Sequence, residues 1–399
     1  MDFNAYSIIL VLSGLVVASY LFGILSTWSK IPSVLLLMAL GILLRSLSDV
    51  LDFKLEGVTH YVEFLGVIGL IMIVLEATLD LEFTKKKIGI VRSAFFSSLV
   101  ILILSSGLVA LIFYVWLGQP FRESMIYAIP LSIISSAIVI PSITHMDADR
   151  KDFIIFEVAF FDILGVMFFN YFLSEEILTG GSLISFFWQL FLMIGLSVAA
   201  SIFLLFVLSR IKSHVKVFLL FAVLIMLYVV GKLYHLPSLM LIVAFGLVLD
   251  NFSLFTSRAP ILFSAEALPA VVEQFKHITA ESSFLIRTYF FVIFGYSIDL
   301  AALKNPVVIE MGSAIVGVLL LVRFLYLRFF LKSRLWPELF IMPRGLVTIL
   351  LFYSIPKEYR IAGFDEGILF FVIAVTSLMM MIGVASYRNV PVSDISKTQ

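Results

Sequence analysis

Long apolar runs, separated by short clusters of charge or by proline and glycine, repeat along almost the whole chain. A helix crossing a bilayer needs about 20 mostly apolar residues, and runs bounded in this way predict thirteen spans. They lie near 5–24, 32–48, 60–79, 92–117, 123–143, 152–173, 183–209, 215–231, 236–250, 282–299, 306–331, 336–355 and 366–387. Between the ninth and tenth, residues 251–281 mix Glu266, Glu273 and Lys276 with Leu268, Val271, Val272 and Phe275. That mixture predicts a separate amphipathic helix lying at the membrane interface. The expected fold class is an all-α polytopic membrane protein.

Composition agrees with the pattern. Of 399 residues, 62% are hydrophobic and 14% charged, with a mean hydropathy of +1.13, whereas a soluble domain needs far more polar surface. Net charge is zero, so no basic face points to nucleic acid. Cysteine is absent, which removes disulfides, thiolate metal sites and a cysteine nucleophile. His60, His145, His214, His235 and His277 are scattered, with no pair at helical spacing, so neither a resident metal nor another cofactor is expected. The segment Met1-Asp2-Phe3-Asn4 lacks the positive region of a signal peptide, and the first apolar run is expected to stay as a helix.

Basic residues in the loops set orientation. With the N-terminus outside, the inside segments hold sixteen Lys and Arg and the outside segments seven. The expectation is an N-terminus outside and a C-terminus in the cytoplasm, in the cell (inner or plasma) membrane. Arg287, Arg323, Arg328 and Arg344 fall within spans and need partners.

The numbered spans contain an internal repeat. Span two opens Ile31-Pro32-Ser33 and reaches Gly41, and span nine opens Leu236-Pro237-Ser238 and reaches Gly246. The following spans end Thr78-Leu79-Asp80 and Ser297-Ile298-Asp299. Matching spans are seven crossings apart, an odd number, so the halves have opposite orientations, as in many secondary transporters. The predicted organisation is a first inverted repeat at 1–174, a linking helix at 175–212, a second repeat at 213–387 and a short cytoplasmic tail at 388–399.

Span five carries Pro130 and Pro141 around Ser132, Ser135 and Ser136, and its counterpart, span twelve, is interrupted by Met342-Pro343-Arg344-Gly345. Proline removes a backbone donor and clashes with the preceding turn. Inside a membrane, the freed carbonyls are tolerated only where they face protein or a wet cavity. Interrupted spans in corresponding positions therefore point to a binding site.

Span six follows the first interruption and holds Glu157 and Asp162 inside an apolar run. A charge at mid-bilayer costs at least ~2.5 to 3.5 kcal/mol, and such residues often mark an ion or proton path. Asp162 is the candidate exchange group, set against a permanently hydrogen-bonded structural carboxylate. The five residues from Glu157 to Asp162 turn about 140° around a helix, so the two face different neighbours. Glu157 is expected to form a structural ion pair, with direct proton transfer as the other reading. The Ser135 and Ser136 hydroxyls and the unwound backbone are candidate oxygen ligands for an alkali cation. The plainer reading is a serine bonded back to its own helix. Glu76 is either a lining group or an interfacial one.

These residues together resemble the monovalent cation/proton antiporter superfamily over nearly the whole chain. The resemblance implies thirteen spans in inverted repeats, two crossed discontinuous helices, and an essential Asp on the next helix, here Asp162. The electroneutral branch has Glu, a short spacer and Asn-Asp; here Glu157 and Asp162 keep the spacing, with Phe161 at the Asn position. Arg344-Gly345 is similar to the family's Arg-Gly, whose arginine is expected to pair with Glu157. Arg323 resembles a basic residue late in the preceding helix, placed to tune the field at Asp162 or to snorkel to the interface. Gly295 to Asp299 is similar to the family's Gly-x-x-x-Asp. Ser135-Ser136-Ala137-Ile138 is closer to the potassium-efflux branch than to the Thr-Asp-Pro of the electroneutral branch. The nucleotide-binding domain that often follows in the potassium-efflux branch is not expected here. A homodimer through spans one, two, eight and nine is implied.

The expected function is exchange of a monovalent cation (Na⁺ or K⁺, with Li⁺ as a third candidate) for protons by alternating access, electroneutrally. The cation is cargo held at Asp162, and the other partners are the proton and the lipid bilayer. The alternatives are a channel-like potassium efflux system and a non-transporting sensor on the same fold. An intramembrane protease is not expected, because facing Asp residues and a His-Glu-x-x-His helix are both absent.

Overall fold

The computed structural model describes residues 5–29, 31, 33–50, 58–79, 87–143, 146–173, 188, 191–192, 195–204, 206, 216–233, 238–252, 268–298, 304–331 and 335–386. Regular structure among them is helical. The first six helices are α1 (Ala5–Ser29), α2 (Ser33–Val50), α3 (Val58–Leu79), α4 (Ile88–Leu117), α5 (Phe121–Ser132) and α6 (Ser136–Ser142). They are followed by α7 (Ala148–Leu173), α8 (Lys216–Leu233), α9 (Ser238–Asp250) and α10 (Leu268–Ser297). The last three are α11 (Pro306–Leu325), continued by a π-helical end at Tyr326–Leu331, then α12 (Leu346–Tyr353) and α13 (Gly367–Ala385). A further helical piece, Gly195–Leu204, is all that is described of span seven as a regular element.

Local chemistry explains the main boundaries. α4 ends at Gly118, whose φ of 62° is the left-handed conformation that closes a helix without a Cβ penalty. α11 begins with Pro306 behind Asn305, whose side chain accepts from the Val307 amide at 3.1 Å. Among the described residues, six stretches are individually long and apolar enough to cross a membrane: Ile9–Ser26, Ile88–Leu117, Phe121–Ser142, Pro269–Ser297, Pro306–Leu331 and Gly367–Ala385. Shorter apolar helices, among them Ser33–Ser48, Phe64–Glu76, Val217–Gly231 and Leu241–Asp250, accompany them.

One expected element is corrected. The amphipathic stretch is not a separate interfacial helix over its described part: from Leu268 it runs without a break into the tenth span as the single helix α10. Its lysine and its apolar face are used internally, while Glu273, Gln274 and His277 stay exposed. Lys276 pairs with Asp250 of α9, and Phe275 packs edge-on to Phe245 and tilted against Phe221. Asp80, Asp299, Pro32 and Pro237 of the repeat, most of span seven, the tail at 388–399 and most of the loops used for orientation lie outside the described residues.

The two glycines matched in the sequence both sit at close helix contacts. Gly41 of α2 lies so close to α10 that an added Cβ would meet the main chain at Val292, Gly295 and Tyr296, and Gly246 of α9 lies equally close to Thr78 of α3. Spans two and nine are counterparts, as are spans three and ten. Each half therefore lays its second span on the third span of the other, through a glycine at the matched position.

The helices pack as two sets. One holds α1, α2, α3, α8, α9 and α10, and the other α4 to α7 and α11 to α13. The five ion pairs between described residues each stay within one set, counting Lys87 with α4 and Glu338 with α12. Described contacts between the sets include apolar ones: Phe294 against Phe370 at 5.2 Å, and Gly66 and Gly69 of α3 against Leu350 and Leu346 of α12.

Candidate functional site

The second set is built around two interruptions. Pro130 lies in the last turn of α5, the chain is extended from Ile133 to Ser135, and α6 resumes at Ser136. In the other broken span, residues 341–345 are non-helical and α12 starts at Leu346. The breaks touch. The Ser135 amide donates to the Pro343 carbonyl oxygen at 2.9 Å, and a Cβ on Gly345 would lie 2.7 Å from Ser135 Oγ and 2.8 Å from Ile138 Cδ1. Glycine is what permits the crossing at this distance.

α7 passes beside the first break. Asp162 is 1% exposed, and Ser136 Oγ donates to its Oδ2 at 2.5 Å. Asp162 Oδ1 and Ser135 Oγ are both buried without a hydrogen-bond partner among the described residues. Gly165, one turn beyond Asp162, faces Ile133 of the extended segment so closely that an added Cβ would meet Ile133 Cδ1 and Cγ1. Phe161 is fully buried beside Asp162.

Glu157 does not pair with Arg344, contrary to the expectation from sequence. Its partner is Arg323, at 3.0 Å from Nη2 to Oε2 and 3.5 Å from Nη1 to Oε1, and Ser97 Oγ of α4 donates to Oε1 at 2.5 Å. Arg323 is 1% exposed, so it neither snorkels nor stands free. Arg344 is also 1% exposed but turns to the broken helices, its Nε donating to the Leu131 carbonyl at 2.7 Å and its Nη1 to that of Met342 at 2.6 Å. The physical reason is local. The breaks free carbonyl oxygens within reach of Arg344, and a cation at the C-terminal end of α5 offsets the helix dipole. Thr376 Oγ1 accepts from the Arg344 amide at 3.1 Å and fixes the turn.

The remaining in-span charges have ordinary places. Arg287 of α10 pairs with Glu76 of α3 at 2.7 Å, and Arg328 is exposed on the π-helical end. Sequence reasoning passed over Ser97, Gly165 and Glu338. A small polar pair, Ser97-Ser98, in the apolar run of span four was the one signal for the first. Among the described residues no group of three or more His, Cys, Asp or Glu could hold a metal ion.

A buried carboxylate at a helix break, held by one hydroxyl, with a second buried carboxylate neutralised by arginine, is the chemistry of a site for a small cation or a proton. Residues 14–386 match the family described as sodium/hydrogen exchanger, transmembrane. The chain belongs to this family. The exchanger is therefore a multi-pass membrane protein and a cation/proton antiporter. Its fold is similar to that of the sodium proton antiporter MjNhaP1 from Methanocaldococcus jannaschii at pH 8, with 18% identity, 96% of this chain and 100% of that one covered, and a TM-score of 0.71. An electron-microscopy structure of the same archaeal antiporter gives 19% identity, 97% and 100% coverage and a TM-score of 0.66. No curated protein sequence matches the exchanger.

Proposed function

We propose that the exchanger trades one monovalent cation, Na⁺ or K⁺ with Li⁺ as a third candidate, for one proton, and that both bind at Asp162. The observation that carries this is the contrast between the two carboxylates of α7. Glu157 is compensated by Arg323, whereas Asp162 has only the Ser136 hydroxyl and keeps an unpartnered oxygen. One uncompensated carboxylate supports one-for-one, electroneutral exchange. Ser135 and Ser136 supply hydroxyl oxygens for the cation, and Arg344 holds the breaks open without entering the pathway.

A loaded site carries no added charge and crosses readily, while a bare carboxylate is penalised at the midplane. That difference couples the two fluxes. The seam between the two helix sets supports alternating access, because no ion pair described here must break when one set moves against the other. The protein is placed in the cell membrane, N-terminus outside and C-terminus in the cytoplasm, as a homodimer through spans one, two, eight and nine.

The test is dissipation of a pH gradient in proteoliposomes on addition of Na⁺, Li⁺ or K⁺, with the membrane potential clamped, for wild type and Asp162→Asn. Cation-dependent proton movement in the wild type and none in the variant is expected. Current at symmetric pH would favour a channel, and silence with all three ions would favour a sensor.

A further inference from the structure

One buried carboxyl has no task in the exchange cycle. Glu338 lies in the turn between the end of α11 and α12 and is 7% exposed. Its main-chain oxygen accepts from Arg323 Nε at 2.7 Å, and its Oε1 pairs with Arg150 Nη1 at 3.3 Å. Arg323 in turn holds Glu157. Arg150 and Glu157 both belong to α7, seven residues apart, which is about 10.5 Å along the axis and within about 20° of the same face. Four residues and two turns of helix therefore close a ring: Arg150, Glu338, Arg323, Glu157 and back along α7.

The ring constrains the helix that carries the exchange group. One contact lets a helix rotate or slide about it, whereas two contacts on one face, joined through a single residue, fix both rotation and height. Asp162 lies five residues beyond Glu157, about 7.5 Å up the axis, so its height follows from the ring. Its hydroxyl partner, Ser136, comes from a different element, α6, across 2.5 Å. A shift of α7 against α6 lengthens this contact and weakens the site's hold on its cation. The signs alternate, so the ring adds no net charge beside the pathway.

We propose that Glu338 is a positioning residue for the exchange site. By joining Arg323 to Arg150 it sets the register of α7 against α6 and so the contact between Ser136 and Asp162. The proposal rests on Asp162 being the exchange group.

The test uses Glu338→Gln and Arg150→Gln, each in the full chain in proteoliposomes, with Arg328→Gln as a control for loss of an exposed charge. Proton movement is measured against the concentration of whichever of Na⁺, Li⁺ or K⁺ drives the wild type, and thermal unfolding is followed on the same preparations. Both ring variants are expected to raise the apparent KM about three- to tenfold, with the maximal rate per folded protein held within about twofold. Glu338→Asp and Arg150→Lys are expected to recover part of the loss. A wild-type KM in both Gln variants, with only the unfolding temperature or the yield lowered, would make the ring structural and overturn the proposal. Wild type and Asp162→Asn in the same series separate the two readings. An active Asp162→Asn or a silent wild type sinks the exchange reading itself, whereas an unchanged KM on an active, Asp162-dependent background sinks the positioning role alone.

Discussion

The main-chain amide of Ser135 donates to the carbonyl oxygen of Pro343 across 2.9 Å, so the two broken spans are bonded to each other at their breaks. Neither break is left with its polar backbone facing lipid, which a membrane does not tolerate. Asp162 reaches the same place through Ser136. The crossing and the candidate site are one structure, and substitutions there have separable consequences.

Ser136→Ala removes the one hydrogen bond made to Asp162 by a described residue. Hydrogen bonds to charged groups contribute about 1.5 to 3 kcal/mol, so apparent cation affinity is expected to fall about ten- to a hundredfold. The cation dependence of proton movement in proteoliposomes measures it. An unchanged affinity would remove Ser136 from the site.

Glu157→Gln leaves Arg323 buried without its carboxylate, and breaking a buried pair from one side costs about 3 to 5 kcal/mol. The paired replacement Glu157→Leu with Arg323→Met is expected to unfold close to the wild-type temperature in detergent. If Arg344→Met rescues Glu157→Gln as well as Arg323→Met does, the assignment of the partner is wrong.

Arg344→Met strips the donor from the Leu131 and Met342 carbonyls, each a buried acceptor whose loss costs about 1 to 3 kcal/mol. Because Arg344 serves the breaks and not Glu157, its effect on unfolding should add to that of Glu157→Gln. Strong coupling between the two in a double-mutant cycle would contradict the geometry.

Gly165→Ala drives a Cβ into Ile133, and overpacking of this kind costs about 1 to 3 kcal/mol. Ile133→Ala made in the same chain should return most of the lost unfolding temperature. No recovery in the double variant would mean that the extended segment does not pack on α7 as described.

The sequence by itself determined the membrane class, the course of most spans, the two interruptions and the carboxylates of α7. Each of these is a one-dimensional quantity: hydropathy over a window, a proline within an apolar run, a charge where none should be. Matched glycines at 41 and 246 also marked the internal repeat, although not what they approach. Tertiary structure alone decided which charges meet. Arg323 and Arg344 were both basic residues in spans, and the resemblance assigned Glu157 to Arg344. The partner depends on which faces of α7 and α11 are turned together, and that rotation is set by packing. Arg344 is drawn instead to carbonyls freed by the breaks, a competition visible only once both breaks lie side by side. The stretch before Ser297 reads as interfacial because its charges look solvated in isolation. Within the fold, Lys276 has Asp250 to bond, so one helix can continue through it.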